Sequence, residues 1–182
     1  MKKLSEKNLY KAKWLSLKEI EYVNDEGEKL KWEMIERTNT TKTVVIVAKL
    51  VPSQRYIFIK QYRAAIDNYV IGFPAGLVEA SDIKEEAKRE LLEETGYVGE
   101  VTDVSPEIKS NPALLTDSTR LVKVEIDEEK YENKNPKQNL EPSEDIEVIL
   151  VNKDKAKEFL LEQNKKGLEI GIGPWYIFGF NL

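Results

Sequence analysis

The 182-residue chain contains no cysteine and no histidine. The first absence excludes disulfides, thiolate catalysis and zinc sites of the cysteine–histidine kind. The second excludes imidazole acid–base chemistry. Catalysis must therefore run on carboxylates, lysine, tyrosine, serine or threonine. Any metal site must be built from oxygen, which points to Mg²⁺ or Mn²⁺. Long apolar runs are missing too: residues 43–51 are far too few to span a bilayer. The charged start MKKLSE has no apolar stretch of the secretory kind behind it. The expectation is a cytoplasmic protein with no membrane partner. A net charge of −5 argues against a nucleic-acid partner.

What is present suffices for a core, since 41% of the residues are hydrophobic. The length suggests one compact domain with a small extra subdomain. Residues 14–23 and 29–37 are β-rich and flank Asn24-Asp25-Glu26-Gly27, which reads as a hairpin turn. Residues 43–51 and 56–62, joined by a Pro-Ser-Gln turn, read as paired central strands. A short strand over 69–73 is closed by Pro74, Ala75 and Gly76. A helix capped by Asp82 or Ser81 runs to Thr95, where Gly96 stops it. Strands are expected over 97–104, 119–126 and 146–151, with a mobile polar loop over 130–142. An amphipathic helix is expected over 154–165, and the aromatic stretch 172–182 reads as a short helix on the core. This order predicts an α+β or mixed layer fold, not a doubly wound parallel sheet.

Seven carboxylates lie between Phe73 and Tyr97. At the helical period Glu86, Glu90, Glu93 and Glu94 share a face, with Ala87 and Leu91 beside it to anchor the helix. Like charges at this spacing cost about 0.2–0.5 kcal/mol per pair. Glu90 and Glu94 also sit toward the helix C-terminus, where negative charge is disfavoured. Arg89 can reach Glu93 one turn on. A solvated charged face would tolerate two such acids, whereas a cluster of this size is better explained by a bound divalent cation.

The run RELLEETGY, Arg89 to Tyr97, behind Gly76 resembles the Nudix box G-x5-E-x7-R-E-U-x-E-E-x-G-U, where U is bulky and apolar. The resemblance implies a mixed α/β/α sandwich of the Nudix type, here with an N-terminal β-hairpin subdomain. It divides the chain into a β-rich dimerisation and substrate-binding segment, 1–40, and a hydrolase domain, 41–182. It also implies Mg²⁺-dependent cleavage of a nucleoside diphosphate linked to another moiety. The spacing from Gly76 to Arg89 is one residue short of the pattern, so the first glutamate of the box falls on Asp82 or Ser81.

Outside the box, KQYRAAIDNYVIGFPAGL and KWEMIERT are similar to the ADP-ribose and ADP-sugar pyrophosphatase branch. That branch implies metal ligation by the Ala75 carbonyl, Glu90 and Glu94, with Glu93 bridging or near by and Arg89 part of the catalytic cluster. Arg63 would grip the diphosphate, and Arg37 would contact the substrate. Leu77 and Pro112 would line the substrate site. Trp14 and Trp32 would sandwich adenine, one of them from the partner in a homodimer. The catalytic base falls on Glu144, with Asp145 and Glu141 as rivals. Gly72 stands where the branch carries a glutamate, which removes one carboxylate. The expected reaction turns ADP-ribose into AMP and ribose 5-phosphate. The alternatives are another nucleoside diphosphate sugar, such as GDP-mannose, or a catalytically inactive nucleotide-binding module.

Overall fold

A computed structural model describes residues 1–78 and 82–180. Ser81, one of the two candidate helix caps, lies outside the described residues. The chain forms two compact units. One is built mainly from Met1–Thr43 with Pro106–Arg120, the other from Val44–Gly76, 82–105 and Leu121 onward.

In the first unit three antiparallel strands, β1 (Lys2–Lys11), β2 (Leu15–Val23) and β3 (Lys29–Arg37), lie in that order. The turn between β2 and β3 forms where expected. The Asn24 side-chain oxygen accepts from the N–H groups of Glu26 (3.1 Å) and Glu28 (2.8 Å), and Gly27 takes the left-handed φ of 85°. Strand β1 is not foreseen by periodicity, because KKLSEKNLYK is exposed along its whole length. Cross-strand ion pairs accompany its register, including Lys7–Glu19 at 2.9 Å and Lys18–Glu6 at 2.7 Å. Residues 113–114 run along β3: the Trp32 indole N–H donates to the Ala113 carbonyl at 2.7 Å, and the Ile35 N–H to Leu114 at 2.8 Å.

The large sheet has the order β11-β6-β5-β4-β9-β8, with β10 also on β5 and β7 on β4. Its strands are β4 (Lys42–Val51), β5 (Arg55–Arg63), β6 (Asn68–Gly72), β7 (Ala75–Leu77), β8 (Glu100–Val104), β9 (Ser118–Asp127), β10 (Ile146–Asn152) and β11 (Glu169–Ile170). Helices α1 (Ile83–Thr95), α2 (Ala156–Lys165) and α3 (Ile172–Phe178) complete the α+β fold. Among the described residues no helix is long and apolar enough to cross a membrane. Phe58, Ile71, Phe73, Leu160 and Phe178 form one buried cluster, with Phe58 5.4 Å from Phe73 and 5.5 Å from Phe178 between ring centres. Strand alternation places Gln61 and Arg63 on the face of β5 opposite Phe58.

Helix α1 matches its sequence signals at both ends. Asp82 caps it by accepting from the Lys84 N–H at 2.9 Å, and Gly96 ends it at φ 76°. Ala87 and Leu91 are fully buried. Elsewhere the elements differ from expectation, and the aromatic helix expected over 172–182 ends at Phe178. The Pro-Ala-Gly turn continues as the short strand β7. Strand β8 starts at Glu100, because the chain leaves the helix through left-handed Gly96 and the Val98 N–H bonds the Asn133 side chain at 2.9 Å. The polar stretch 130–142 holds a 3₁₀ turn, Tyr131–Asn133, and the Asn133 amide donates to the carbonyls of Val98 and Asp127, both at 2.9 Å.

Glu128 ties the end of β9 to the β4–β5 turn. It accepts from the Ser53 hydroxyl at 3.0 Å and from the Arg55 guanidinium at 2.9 Å, and its own N–H donates to Val51 at 3.0 Å. Burial raises its pKa, but the Ser53 and Arg55 donors outweigh that and hold it below the ordinary carboxylate value. A depressed folded pKa gives stability that is present above the unfolded pKa and lost as pH falls through the folded one. Glu128→Gln should therefore lower stability by about 1 kcal/mol at about pH 7, with solvent screening of half-exposed Arg55 included. The difference should shrink as the pH falls below the ordinary carboxylate range. Urea titrations of both proteins at about pH 7 and through the acid range check this.

Candidate active site

Arg89, on α1, gathers most of the acidic face. Its guanidinium bonds Glu93 at 2.7 Å, Glu90 at 2.7 Å and Glu86 at 3.0 Å. The Glu86 hydrogen bond, followed by the charges of Glu90 and Glu93, raises the Arg89 pKa and keeps it charged. Sequence spacing predicts only the Glu93 contact. The clamp answers much of the repulsion among these three acids.

Glu94 is not reached by the clamp. It is 2% exposed, and one of its oxygens accepts from the Ala75 N–H at 3.0 Å. Burial, with the charges of Glu144 and Glu90, pushes its pKa up to about 8 against the pull of the Ala75 amide and Arg63. Glu90 is pushed up as well, by burial first and then by Glu93 and Glu144, against Arg89. Glu90, Glu94 and Glu144 thus act on one another, with Arg63 at the end of β5 close enough to act on Glu94. Gly76 admits this packing, because a Cβ there would lie 2.0 Å from the Glu90 carboxyl carbon.

Among the described residues no group of three or more acidic side chains stands preformed around a cation position. The donor set nevertheless fits a hard divalent cation. It is all oxygen, and the buried carboxylate of Glu94, facing two further acids, is a group whose ionised form a cation would stabilise. Ala75 meets the acidic helix through its N–H, which donates to Glu94.

The candidates for the base separate by their contacts. Glu144 is half-buried, accepts from the Glu141 N–H at 2.9 Å and acts electrostatically on Glu90 and Glu94. The carboxylate of Asp145 is engaged by the Tyr69 hydroxyl at 2.5 Å. Glu141 contributes its backbone to the turn that holds Glu144.

The remaining predicted residues belong to the first unit. Arg37 is held through Nε by buried Asp117 at 2.8 Å, leaving its terminal nitrogens available. Among the described residues the other Asp117 oxygen and the Thr116 hydroxyl are buried without a hydrogen-bond partner. Trp14 and Trp32 are 60% and 49% exposed, so neither indole is consumed by the core. The Trp14 carbonyl pairs with Thr38, six residues along from Trp32, which separates the two positions by about 20 Å at the β-strand rise. One chain therefore does not bring them together. Pro112 is exposed just before the Ala113–Leu114 segment on β3, and Leu77 ends β7. Sequence reasoning missed Asp117, which carries no local signal, and gave no role to Gln61, although it lies in the KQYR stretch; among the described residues its buried Oε1, on the Arg63 face of β5, has no partner.

Three comparisons place this geometry among known proteins. The family model described as the NUDIX domain matches residues 40–169. An uncharacterised Nudix hydrolase of Schizosaccharomyces pombe is 37% identical over 168 residues, covering 88% of this chain and 82% of that protein. The ADP-ribose pyrophosphatase of Saccharomyces cerevisiae is 30% identical, covering 87% and 73%. The ADP-sugar pyrophosphatase of Mus musculus is 30% identical, covering 82% and 72%. A crystal structure of an ADP compounds hydrolase overlays with a TM-score of 0.66, covering 92% of this chain and 96% of that one at 17% identity, which supports the fold.

Gly76 and Glu90 generate a test that separates site geometry from folding. In Gly76→Ala the new methyl must displace the Glu90 carboxylate, the flexible end of a side chain, so the backbone need not move. Hydrolytic activity should fall about 10–100-fold, the loss typical of a misplaced reactive group or ligand. The melting temperature should move by only a few degrees, about what 1 kcal/mol does in a domain of this size. Kinetics and calorimetry on the same preparation check both.

Proposed function

The chain belongs to the Nudix family of hydrolases, and from that premise we propose that it hydrolyses the diphosphate linkage of ADP-ribose, or a related ADP-sugar, to AMP and a sugar phosphate in the presence of Mg²⁺. The observation that carries this reading is Glu94, buried outside the Arg89 clamp, with Glu90, Glu144 and Arg63 close enough to act on it. The ADP-ribose and ADP-sugar pyrophosphatases among the relatives support the substrate class.

A divalent cation held by Glu90, Glu94 and the Ala75 carbonyl, with Glu93 beside them, would neutralise the diphosphate and acidify the attacking water. Arg89 keeps Glu90 and Glu93 in register. Arg63 binds phosphate oxygens through its forked donors. Glu144 accepts a proton from water as its oxygen bonds to phosphorus. The phosphorus–oxygen bond of the bridge breaks, and its electron pair leaves with the other phosphate. Trp14 and Trp32 offer stacking faces for adenine. Their separation within one chain supports a sandwich that takes one indole from a second copy, in a homodimer. Arg37, Leu77 and Pro112 complete the substrate contacts in this reading.

The reading is tested by incubating the protein with Mg²⁺ and ADP-ribose, ADP-glucose or GDP-mannose and identifying products by mass. AMP and ribose 5-phosphate should form fastest from ADP-ribose. Glu94→Gln and Glu144→Gln should each lower kcat by at least about 100-fold. Full Mg²⁺-dependent turnover in Glu94→Gln would refute the metal assignment. One observation favours a second reading, a module that binds the nucleotide without turnover. Gly72 lacks the branch's carboxylate, and a Cβ there would meet nothing within 4 Å. Binding of ADP-ribose with no product in Mg²⁺ or Mn²⁺ would establish that alternative.

A further inference from the structure

We propose that Gln138 is a positioning residue for the general base: its side-chain amide ties the loop that carries Glu144 to the end of the helix that carries Glu90 and Glu94. The proposal rests on the reading of Glu144 as the base.

A helix leaves its last four carbonyls without intrahelical partners. In α1 the Gly96 N–H takes Leu92 at 2.8 Å. The next two carbonyls are taken by the base loop. The Asn139 N–H donates to Glu93 at 2.9 Å, and the Gln138 Nε2 donates to Glu94 at 2.7 Å. The same Nε2 donates its second hydrogen to the carbonyl of Ile146, the first residue of β10, at 3.0 Å. One amide thus holds both ends of the 139–145 segment against the residue whose side chain is the buried acid of the site.

The surroundings agree with a fixed loop. Gly96 lets its backbone sit directly on the helix end, since a Cβ there would lie 2.3 Å from the Lys137 nitrogen. Inside the loop the Glu144 N–H donates to Glu141 at 2.9 Å, and the Tyr62 N–H donates to the Asp145 carbonyl at 3.2 Å. The chemistry at position 138 is demanding. Two carbonyl oxygens need two hydrogens from one nitrogen, which the glutamine amide supplies. A glutamate there is acceptor-only at neutral pH and would face both carbonyls.

The test is a double-mutant cycle at saturating ADP-ribose with Mg²⁺, using Gln138→Glu, Gln138→Ala, Glu144→Gln and the combined variants. Each Gln138 substitution should lower kcat about tenfold with KM within about twofold, and should have no further effect on kcat in the Glu144→Gln background. Gln138→Ala keeps the test open if Gln138→Glu folds poorly. Wild-type kcat in Gln138→Ala overturns the proposal, as does a loss that repeats in full on Glu144→Gln. In those two outcomes the base assignment stands. Wild-type kcat in Glu144→Gln alone overturns the base assignment and this proposal with it.

Discussion

The hydrogen bond from the Ala75 N–H to the Glu94 carboxylate joins the Pro-Ala-Gly turn to the acidic helix, and the site is arranged around it. A carboxylate that is 2% exposed is costly to ionise unless donors or cations compensate it. The single amide does not suffice, as the elevated pKa records. Ala87 and Leu91 fix the helix by burial, which sets the side of the helix from which Glu94 projects. The fold thereby holds an acid at a position where its charge is poorly supported, with Glu90 and Glu144 near it. A cation-binding enzyme requires such an excess of negative charge before its cation arrives.

Arg89 answers most of the acidic face. Counting carboxylates suggests a repulsion that only a metal relieves. The structure shows that one guanidinium engages Glu86, Glu90 and Glu93 together. What the clamp leaves unanswered is Glu94, with Glu90 and Glu144 close enough to act on it.

Much of the fold was legible because its signals are local. The apolar run of β4, the alternation of β5, the Asp82 cap and the Gly96 stop each act over a few residues. What escaped reading is non-local. Strand β1 has no apolar face to announce it, and its partners are charges on β2. The fate of residues 130–142 depends on helix carbonyls and on Asn133, none of which a local polar composition reveals. Within the candidate site, the acids of α1 were legible by helical period, while nothing local separates Glu141, Glu144 and Asp145. The bond from the Tyr69 hydroxyl, on β6, to Asp145 is a non-local contact.

The one-residue shortening between Gly76 and Arg89 can be weighed in the same terms. A deletion ahead of a helix cap shifts the loop, whereas the positions of residues after the cap follow from how the helix packs. Asp82 still caps α1, and Ala87 and Leu91 still set its rotation. Two contacts cross from the turn to the helix: the Ala75 amide meets Glu94, and the Glu90 carboxylate lies against Gly76. These contacts join residues on either side of the shortened stretch. The turn and the two acids are therefore tied to each other directly, and not only through the chain that connects them.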